Sequence, residues 1–258
     1  MKGKCRVCNS SSIVNLFNAN VLGNNAIYYE CQDCLYIQVG NPNWLDQAYK
    51  KPINATDTGI LVRNLHNQRV VFSAMLCLGR PRSKVLDWGG GYGILVRLLR
   101  DIGIDAYWTD PYCKNLFASG FEYDQKIVGM VTSFETLEHI VNPLKEVKKM
   151  LLCSSSLLIS TEVASCPAPK IYDWDYYGIE HGQHIGFFRP STICIIAELL
   201  GKQAIRLSKN IFLICNNNIN PKTFLVFYKI AMKIPLHKYI LKSKTYADYS
   251  WIKSELLK

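Results

Sequence analysis

VLDWGGGYG, residues 85–93, joins a short apolar run to one carboxylate and four glycines. Val85 and Leu86 are typical of a buried parallel strand, and Asp87 stands at its end. Glycine permits positive φ and lets a ligand lie close against the backbone. A helix starting at Ile94 would offer unpaired N–H groups beside that turn. The segment therefore predicts a strand, a tight turn and a helix that together bind a nucleotide-like ligand.

The glycine spacing distinguishes between two kinds of nucleotide site. A dinucleotide fingerprint G-x-G-x-x-G that begins at Gly89 would need a glycine at position 94, where the chain has Ile94. The pattern is instead D-x-G-x-G-x-G, with Asp87 as its acid. This pattern resembles motif I of class I S-adenosylmethionine-dependent methyltransferases.

Two later segments supply the rest of the same signature. Residues 103–110 predict a strand ending in Asp110, about 20 residues past the turn, where doubly wound sheets place a ribose-binding carboxylate. Residues 126–133 predict a further strand, and FETLEHIVNP follows it at residues 134–143. This Glu-His segment with its proline resembles the one that passes beside the sulfonium in the same methyltransferases.

The resemblance implies an α/β fold with a Rossmann-like seven-stranded sheet and S-adenosylmethionine as the cofactor. It places Asp87 and the glycines at the methionine end of the cofactor, and it places Asp110 at the ribose. The cofactor-binding residues that it implies are Asp87, Gly89, Gly90, Gly91, Gly93, Asp110, Ser133, Phe134 and Glu135.

The N-terminal segment carries two C-x-x-C pairs, Cys5/Cys8 and Cys31/Cys34, with 22 residues between them. Each pair brings two thiolates to one ion from a tight turn, and two pairs complete a tetrahedral zinc site. We therefore predict a structural Zn²⁺ in a zinc ribbon over residues 1–40. Reduced cysteines without a metal are the alternative.

Composition indicates a folded protein, since 49% of the 258 residues are hydrophobic and 19% are charged. The N-terminus lacks the apolar run of a signal peptide, and no stretch reaches the 18 or more apolar residues of a spanning helix. Together with ten cysteines, these features predict a cytoplasmic protein, which could also be peripheral to a membrane.

The net charge of +10 is concentrated at the C-terminus. Residues 219–258 carry eight lysines against Asp248 and Glu255, whereas acids and bases balance over residues 81–218. An enzyme acting on nucleic acid would be expected to carry basic charge around its cleft, so the distribution argues against such a partner. The tail is predicted to dock on an anionic membrane surface or a protein partner, or else to pack as helices on the core.

We predict four segments along the chain from these features. They are a zinc ribbon (1–40), a helical linker or cap (41–80), the S-adenosylmethionine-binding Rossmann-like catalytic domain (81–218) and a basic amphipathic tail (219–258). The order of ribbon, VLDWGGGYG, FETLEH and EHGQHIGFF resembles zinc-ribbon methyltransferases found with bacterial polysaccharide and deoxysugar biosynthesis enzymes. The resemblance implies a sugar or glycan as the methyl acceptor.

An insert at residues 163–190 follows the predicted strand 157–162 and is placed to cover the acceptor, because ligands of open α/β sheets lie beyond the carboxyl ends of the strands. Aromatic faces and polar tips suit a sugar ring. The side chains of this kind in the insert are Tyr172, Trp174, Tyr176, Tyr177, Glu180, His181, Gln183, His184, Phe187 and Phe188.

Methyl transfer to a hydroxyl requires removal of its proton, and a histidine near neutrality is suited to that task. We predict His184 as the base, with His139 as the second candidate and a structural role as the alternative for each. The set Glu135, Glu138 and His139 also resembles the divalent-metal triad of ubiquinone-pathway O-methyltransferases. By that resemblance it would hold Mg²⁺ and polarise an acceptor oxygen, with Glu135 as a catalytic residue.

The favoured function is O-methylation of a sugar or glycan. Sugar C-methylation is an alternative, because GQHIGFF resembles the His-Glu-His-x-x-Tyr-Phe-Ser segment of sugar C-methyltransferases, with glycine at the first histidine. RNA methylation is another, since some rRNA methyltransferases carry an N-terminal zinc module. A third is a non-catalytic protein that binds a partner, against which the intact Asp87, Asp110 and glycine turn argue.

Overall fold

The structure is a computed structural model, and it describes residues 3–50, 57–216 and 219–257. The chain divides into two compact units, each built from three segments. The first unit comprises Met1–Asn54, Phe134–Lys149 and Ile159–Cys215. The second unit comprises Ala55–Ser133, Met150–Leu158 and Asn216–Lys258. The four-segment division stays a prediction.

The secondary structure alternates between strands and helices over the central part of the chain. The strands are β1 (Ile13–Val21), β2 (Asn24–Cys31), β3 (Ile37–Val39), β4 (Val85–Trp88), β5 (Ala106–Thr109), β6 (Met130–Phe134), β7 (Leu157–Ser160), β8 (Gly186–Phe187), β9 (Gln203–Arg206) and β10 (Ile211–Cys215). The helices are α1 (Leu45–Ala48), α2 (Ile60–Cys77), α3 (Ile94–Asp101), α4 (Pro143–Cys153), α5 (Pro190–Leu199), α6 (Pro221–Lys233), α7 (His237–Ile240) and α8 (Thr245–Leu256). Short 3-10 helices form at Leu137–His139 and Asp175–Tyr177.

The predicted strand, turn and helix around the glycines are present in the second unit. Strand β4 pairs in parallel with β5 and with β6, so that Val85 lies between Ala106 and Met130. Helix α3 begins directly after Gly93, and its buried residues are Leu95, Val96, Leu99 and Arg100. The α/β fold predicted from the sequence is therefore confirmed.

The larger sheet has six strands among the described residues, in the order β5-β4-β6-β7-β10-β9, whereas the resemblance implied seven. It is mixed, because β9 and β10 pair antiparallel. Beyond β5 the chain makes only an isolated parallel bridge between Trp108 and Glu122. Positive φ angles at Gly120 and Gln125 limit the extended backbone around that bridge to residues 121–124, and the single bridge there does not extend into a seventh strand.

The first unit contains a second sheet with the order β1-β2-β3-β8. Its last strand comes from the insert, since Ile37 pairs with Phe187 and Gln38 with Gly186. Trp44 donates a hydrogen bond from Nε1 to the carbonyl of Gly182 over 2.8 Å. The insert is therefore held to the N-terminal strands by both backbone pairing and side-chain contacts.

The tail forms helices that pack within the second unit. Helix α6 packs on α2, where Tyr228 and His66 share a hydrogen bond of 2.9 Å. Asp248 of α8 is buried and accepts hydrogen bonds from Arg97 and Arg100. Helical packing, one of the two predicted arrangements, is therefore present. Docking of this segment on a membrane or a partner stays a prediction, and none of the described helices is long and apolar enough to cross a bilayer.

Candidate active site

The glycine turn after β4 has the backbone that its sequence requires. Gly89, Gly91 and Gly93 have φ angles of 74°, 54° and 83°, which L-residues with a side chain rarely adopt. Gly90 is needed for another reason, because a Cβ there would lie 2.7 Å from Cδ1 of Trp108. The indole of Trp108 also donates a hydrogen bond to the carbonyl of Gly91 over 2.8 Å. The turn is thus closed against β5, and its glycine N–H groups are engaged within the protein: those of Gly89 and Gly90 donate to the Thr109 carbonyl, and that of Gly93 donates to the Gly90 carbonyl.

Asp110, at the end of β5, is fixed by three backbone N–H groups. Its Oδ2 accepts from Gly91 at 3.0 Å, and its Oδ1 accepts from Tyr112 and Cys113 at 2.8 Å each. Oδ2 accepts only one of these bonds and can accept another, so a hydroxyl donor of a ligand can still be bound. The carboxylate is held in one orientation beside the glycine turn.

Asp87 is buried at the end of β4 and accepts a hydrogen bond from Thr132 Oγ1 over 2.7 Å. Burial raises the pKa of Asp87 to about 7, with the Thr132 hydrogen bond opposing this and the charge of Asp110 adding to it. A buried carboxylate with a raised pKa is stabilised in its charged form by a nearby cation. The hydroxyl of Ser133 is also buried, and none of the described residues hydrogen-bonds to it. These features fit a ligand that carries positive charge and polar groups.

In the first unit, two carboxylates share one phenol. The Tyr176 hydroxyl lies 2.9 Å from Oε2 of Glu135 and 2.6 Å from Oε1 of Glu138. Glu138 is fully buried, and this burial, together with the charge of Glu135, raises its pKa well above the usual range. Ser160 donates to the other oxygen of Glu135 over 2.6 Å. The Tyr176 hydroxyl has one proton and can donate it to only one of the two carboxylates. A further proton or a bound cation is therefore needed to stabilise the pair.

Two histidines lie next to these carboxylates, with ring centroids 4.8 Å apart. Nδ1 of His139 lies 3.2 Å from the carbonyl of Gln183, and Nδ1 of His184 lies 2.6 Å from the carbonyl of Tyr176. Because a carbonyl only accepts, each Nδ1 carries the hydrogen and each Nε2 carries a lone pair. Burial lowers the pKa of His184 to about 4 and that of His139 to about 3. Both rings are therefore neutral at physiological pH.

The four cysteines of the N-terminal segment converge, with all four sulfurs within 4.8 Å of one another. The Cys5 and Cys34 sulfurs are 3.4 Å apart, and those of Cys8 and Cys31 are 3.5 Å apart. A tetrahedral zinc with Zn–S bonds of about 2.3 Å needs sulfurs roughly 3.8 Å apart, so a small relaxation makes the set fit. All four are free thiols, and the cluster can bind zinc.

The comparison with known families settles the broad identity of the chain. Residues 63–206, which are more than half of the sequence, match the family model described as "Methyltransferase domain". The chain belongs to this methyltransferase family. Its glycine turn, Asp87 and Asp110 all lie inside the matched range, and the protein is an S-adenosylmethionine-dependent methyltransferase. No curated relative matches the methyltransferase in sequence.

Several solved structures are similar to this methyltransferase in fold. One is magnesium protoporphyrin IX methyltransferase from Synechocystis PCC 6803 with bound S-adenosylhomocysteine, at 13% identity and a TM-score of 0.41, covering 66% of this chain and 92% of that one. An O-methyltransferase family protein from Burkholderia thailandensis has 15% identity and a TM-score of 0.44, covering 62% and 60%. The plantazolicin methyltransferase BpumL has 11% identity and a TM-score of 0.45, covering 68% and 95%.

The methyltransferase brings most of the predicted cofactor residues together within the second unit. Asp87, the glycine turn 89–93, Asp110 and Ser133 lie at the ends of β4, β5 and β6. Phe134 and Glu135 follow Ser133 directly in the chain, and the φ of Glu135 is 49°. Their individual roles at the cofactor stay predictions.

The geometry does not favour the predicted Mg²⁺ set of Glu135, Glu138 and His139. Both oxygens of Glu135 are engaged, one by Ser160 and the other by Tyr176. The ligand atoms that converge are instead those of Glu138, His139 and His184. Sequence reasoning missed this grouping, because the two histidines are 45 positions apart and no spacing rule connects them. The role of Tyr176 was also missed, although its place in an aromatic insert was noted.

Proposed function

We propose that this methyltransferase transfers the methyl group of S-adenosylmethionine to a hydroxyl of a sugar or glycan in polysaccharide biosynthesis. The observation that carries the proposal is the group of neutral imidazoles and carboxylates, formed where the segment after β6 packs against the aromatic insert. The rings of Trp174 and Tyr176 are tilted by 36° with centroids 5.2 Å apart, and the ring centroids of Tyr176 and His184 lie 4.6 Å apart. Aromatic faces suit the C–H faces of a sugar ring, and lone pairs suit its hydroxyls.

The second unit would hold the cofactor, which supplies an activated methyl group on a sulfonium. The residues present fit it: Asp110 offers a carboxylate acceptor, the first turn of α3 offers N–H groups that have no partner within the helix, and Asp87 offers a carboxylate that a cationic group would stabilise. Ser133 offers a buried hydroxyl that needs a partner.

The first unit would activate the acceptor. We propose that Nε2 of His184 accepts the proton of the acceptor hydroxyl. His139 supports His184 in this role, since the centroids of the two rings are 4.8 Å apart. A hydroxyl that loses its proton as it attacks becomes a far better nucleophile. Tyr176 holds His184 through its carbonyl and Glu138 through its phenol, so it positions both.

We further propose that one Zn²⁺ binds Cys5, Cys8, Cys31 and Cys34. Strand β3 begins three residues after Cys34 and pairs with β8, and His184 is two residues before β8. Arg189 strengthens this connection by an ion pair with Glu30 and a hydrogen bond of 2.8 Å to the carbonyl of Leu35. Zinc would therefore help to position the acceptor-activating histidine as well as fold the ribbon.

The acceptor is tested by incubating the purified protein with S-adenosylmethionine and three panels: nucleotide sugars, oligosaccharides and RNA. Release of S-adenosylhomocysteine should exceed background only with members of the sugar panels, and NMR of the product should show a new O-methyl group. A new C-methyl group would support the alternative of sugar C-methylation. Release of S-adenosylhomocysteine only with RNA would overturn the proposal that the acceptor is a sugar or glycan.

A further inference from the structure

We propose that Glu138, His139 and His184 bind a divalent transition-metal ion, separate from the zinc of the four cysteines. The proposal deepens the proposed function, since such an ion would act on the acceptor hydroxyl. The site belongs entirely to the first unit, in which all three residues lie. Three features of the geometry support it: convergence of the ligand atoms, orientation of the imidazoles, and one buried oxygen without a partner.

The first feature is convergence. One oxygen of Glu138 and one nitrogen each of His139 and His184 lie within 4.8 Å of one another. Metal–nitrogen and metal–oxygen bonds of about 2.0–2.2 Å place the ligand atoms of one ion roughly 3–4 Å apart. A small inward shift of the side chains would therefore close the three donors around a single ion.

The second feature is the orientation of the rings. Both histidines use Nδ1–H to donate to a backbone carbonyl, His139 to Gln183 and His184 to Tyr176. A histidine that ligates a metal almost always donates its other ring N–H to a carbonyl or carboxylate, which fixes the tautomer and the direction of the lone pair. Both rings are thus prepared to present Nε2 to an ion.

The third feature is an oxygen that lacks a partner. Glu138 is 0% exposed, and its Oε2 forms no hydrogen bond with any of the described residues. Its Oε1 is held by the Tyr176 hydroxyl over 2.6 Å, so the carboxylate cannot turn away. A buried unsatisfied carboxylate oxygen is costly, and a bound cation removes that cost.

The donor set indicates the class of metal. Two imidazoles and one carboxylate suit Zn²⁺, Fe²⁺, Mn²⁺ or Co²⁺, whereas Mg²⁺ prefers oxygen ligands throughout. Three protein ligands also leave coordination positions open, as catalytic metal sites do. An open position could take a hydroxyl oxygen of the acceptor, and coordination lowers the pKa of a bound hydroxyl group. With its Nε2 lone pair donated to the ion, His184 would act on the acceptor by holding the ion rather than as the base, and the acidified hydroxyl would release its proton to solvent.

Cobalt titration of the purified full chain, with zinc retained in the ribbon, tests the proposal. We expect wild type to bind one Co²⁺ with visible bands of a nitrogen and oxygen site and without thiolate-to-cobalt charge transfer. His184→Gln and His139→Gln should bind no cobalt at the concentration that saturates wild type. The matched control is His181→Gln, since His181 lies 4.8 Å from His184 but is outside the converging group, and it should bind one equivalent.

Zinc analysis and far-UV circular dichroism of each variant check that the ribbon and fold are intact. Cys31→Ser should lose the ribbon zinc, which identifies the two sites independently. No cobalt binding by wild type would overturn the proposal, as would binding that survives in both His184→Gln and His139→Gln. Because the titration needs neither cofactor nor acceptor, its failure would leave the proposed methyl transfer to a sugar standing.

Discussion

His184→Gln is expected to lower turnover on the acceptor found in the panels by about 10²–10⁴-fold, the usual range for loss of a group that assists proton removal. Glutamine can still donate to the carbonyl of Tyr176, but it has no counterpart of the Nε2 lone pair. The affinity for S-adenosylhomocysteine should stay that of wild type, because the glycine turn and Asp110 belong to the other unit. Steady-state kinetics and calorimetry measure the two quantities.

His181→Gln is the matched control for this substitution. His181 lies in the same insert and accepts a hydrogen bond from the Gln183 N–H over 3.1 Å, so it reports on general disturbance of the insert. It should retain most of the turnover. Wild-type turnover in His184→Gln would transfer the role to His139 or to positioning of the acceptor alone.

Asp248→Asn is expected to lower the free energy of unfolding by about 3–5 kcal/mol, the cost of removing one partner from a buried ion pair. Asp248 is 4% exposed and accepts from Arg97 Nη2 at 2.9 Å and from Arg100 Nε and Nη2 at 2.7 Å each. Arg100 is equally buried, over the ring of Phe121 at 3.5 Å, so its charge would lose its main partner. Urea unfolding at pH 7 gives the difference.

The pH dependence of this stabilisation has a defined sign. Burial alone would raise the pKa of Asp248, but hydrogen bonds and charge from Arg100 and Arg97 outweigh it and hold the pKa below its usual value. The stabilisation is therefore present above the unfolded-state pKa of about 3.9 and is lost as pH falls through the folded-state pKa. Asp124→Asn, at an exposed pair with Lys126, is the control and should change stability little. Equal stability of wild type and Asp248→Asn at pH 7 would contradict the account.

The strand, turn and helix of the proposed cofactor site were predicted well from the sequence, because the residues that determine them are close together in the chain. Asp87, the glycine turn and the start of α3 are consecutive, and positive φ is a property that only glycine supplies without strain. The position of Asp110 followed from the regular length of a strand–helix–strand unit. The same reasoning overestimated the sheet by one strand, because the backbone around Glu122 turns away after a single bridge.

The proposed acceptor site in the first unit was predicted only in part, because its contacts join residues that are far apart in the sequence. Strand β8 has two residues, and its partner Ile37 is 150 positions from Phe187, so no periodicity identifies it. His184 was singled out by resemblance. Its grouping with Glu138 and its hydrogen bond to the Tyr176 carbonyl depend on how the insert folds back. Spacing rules describe single elements and cannot supply such tertiary contacts.

The most direct test of the central claim is calorimetric titration with S-adenosylhomocysteine, the demethylated cofactor. Wild type should bind one equivalent, and Asp87→Ala and Asp110→Ala should each weaken binding by roughly 10–100-fold, since each removes hydrogen bonds to a charged group. Asp124→Ala, at an exposed carboxylate of the same unit, should bind as wild type does. Absence of binding by the wild type, or wild-type affinity in both Asp87→Ala and Asp110→Ala, would contradict the assignment of the cofactor site.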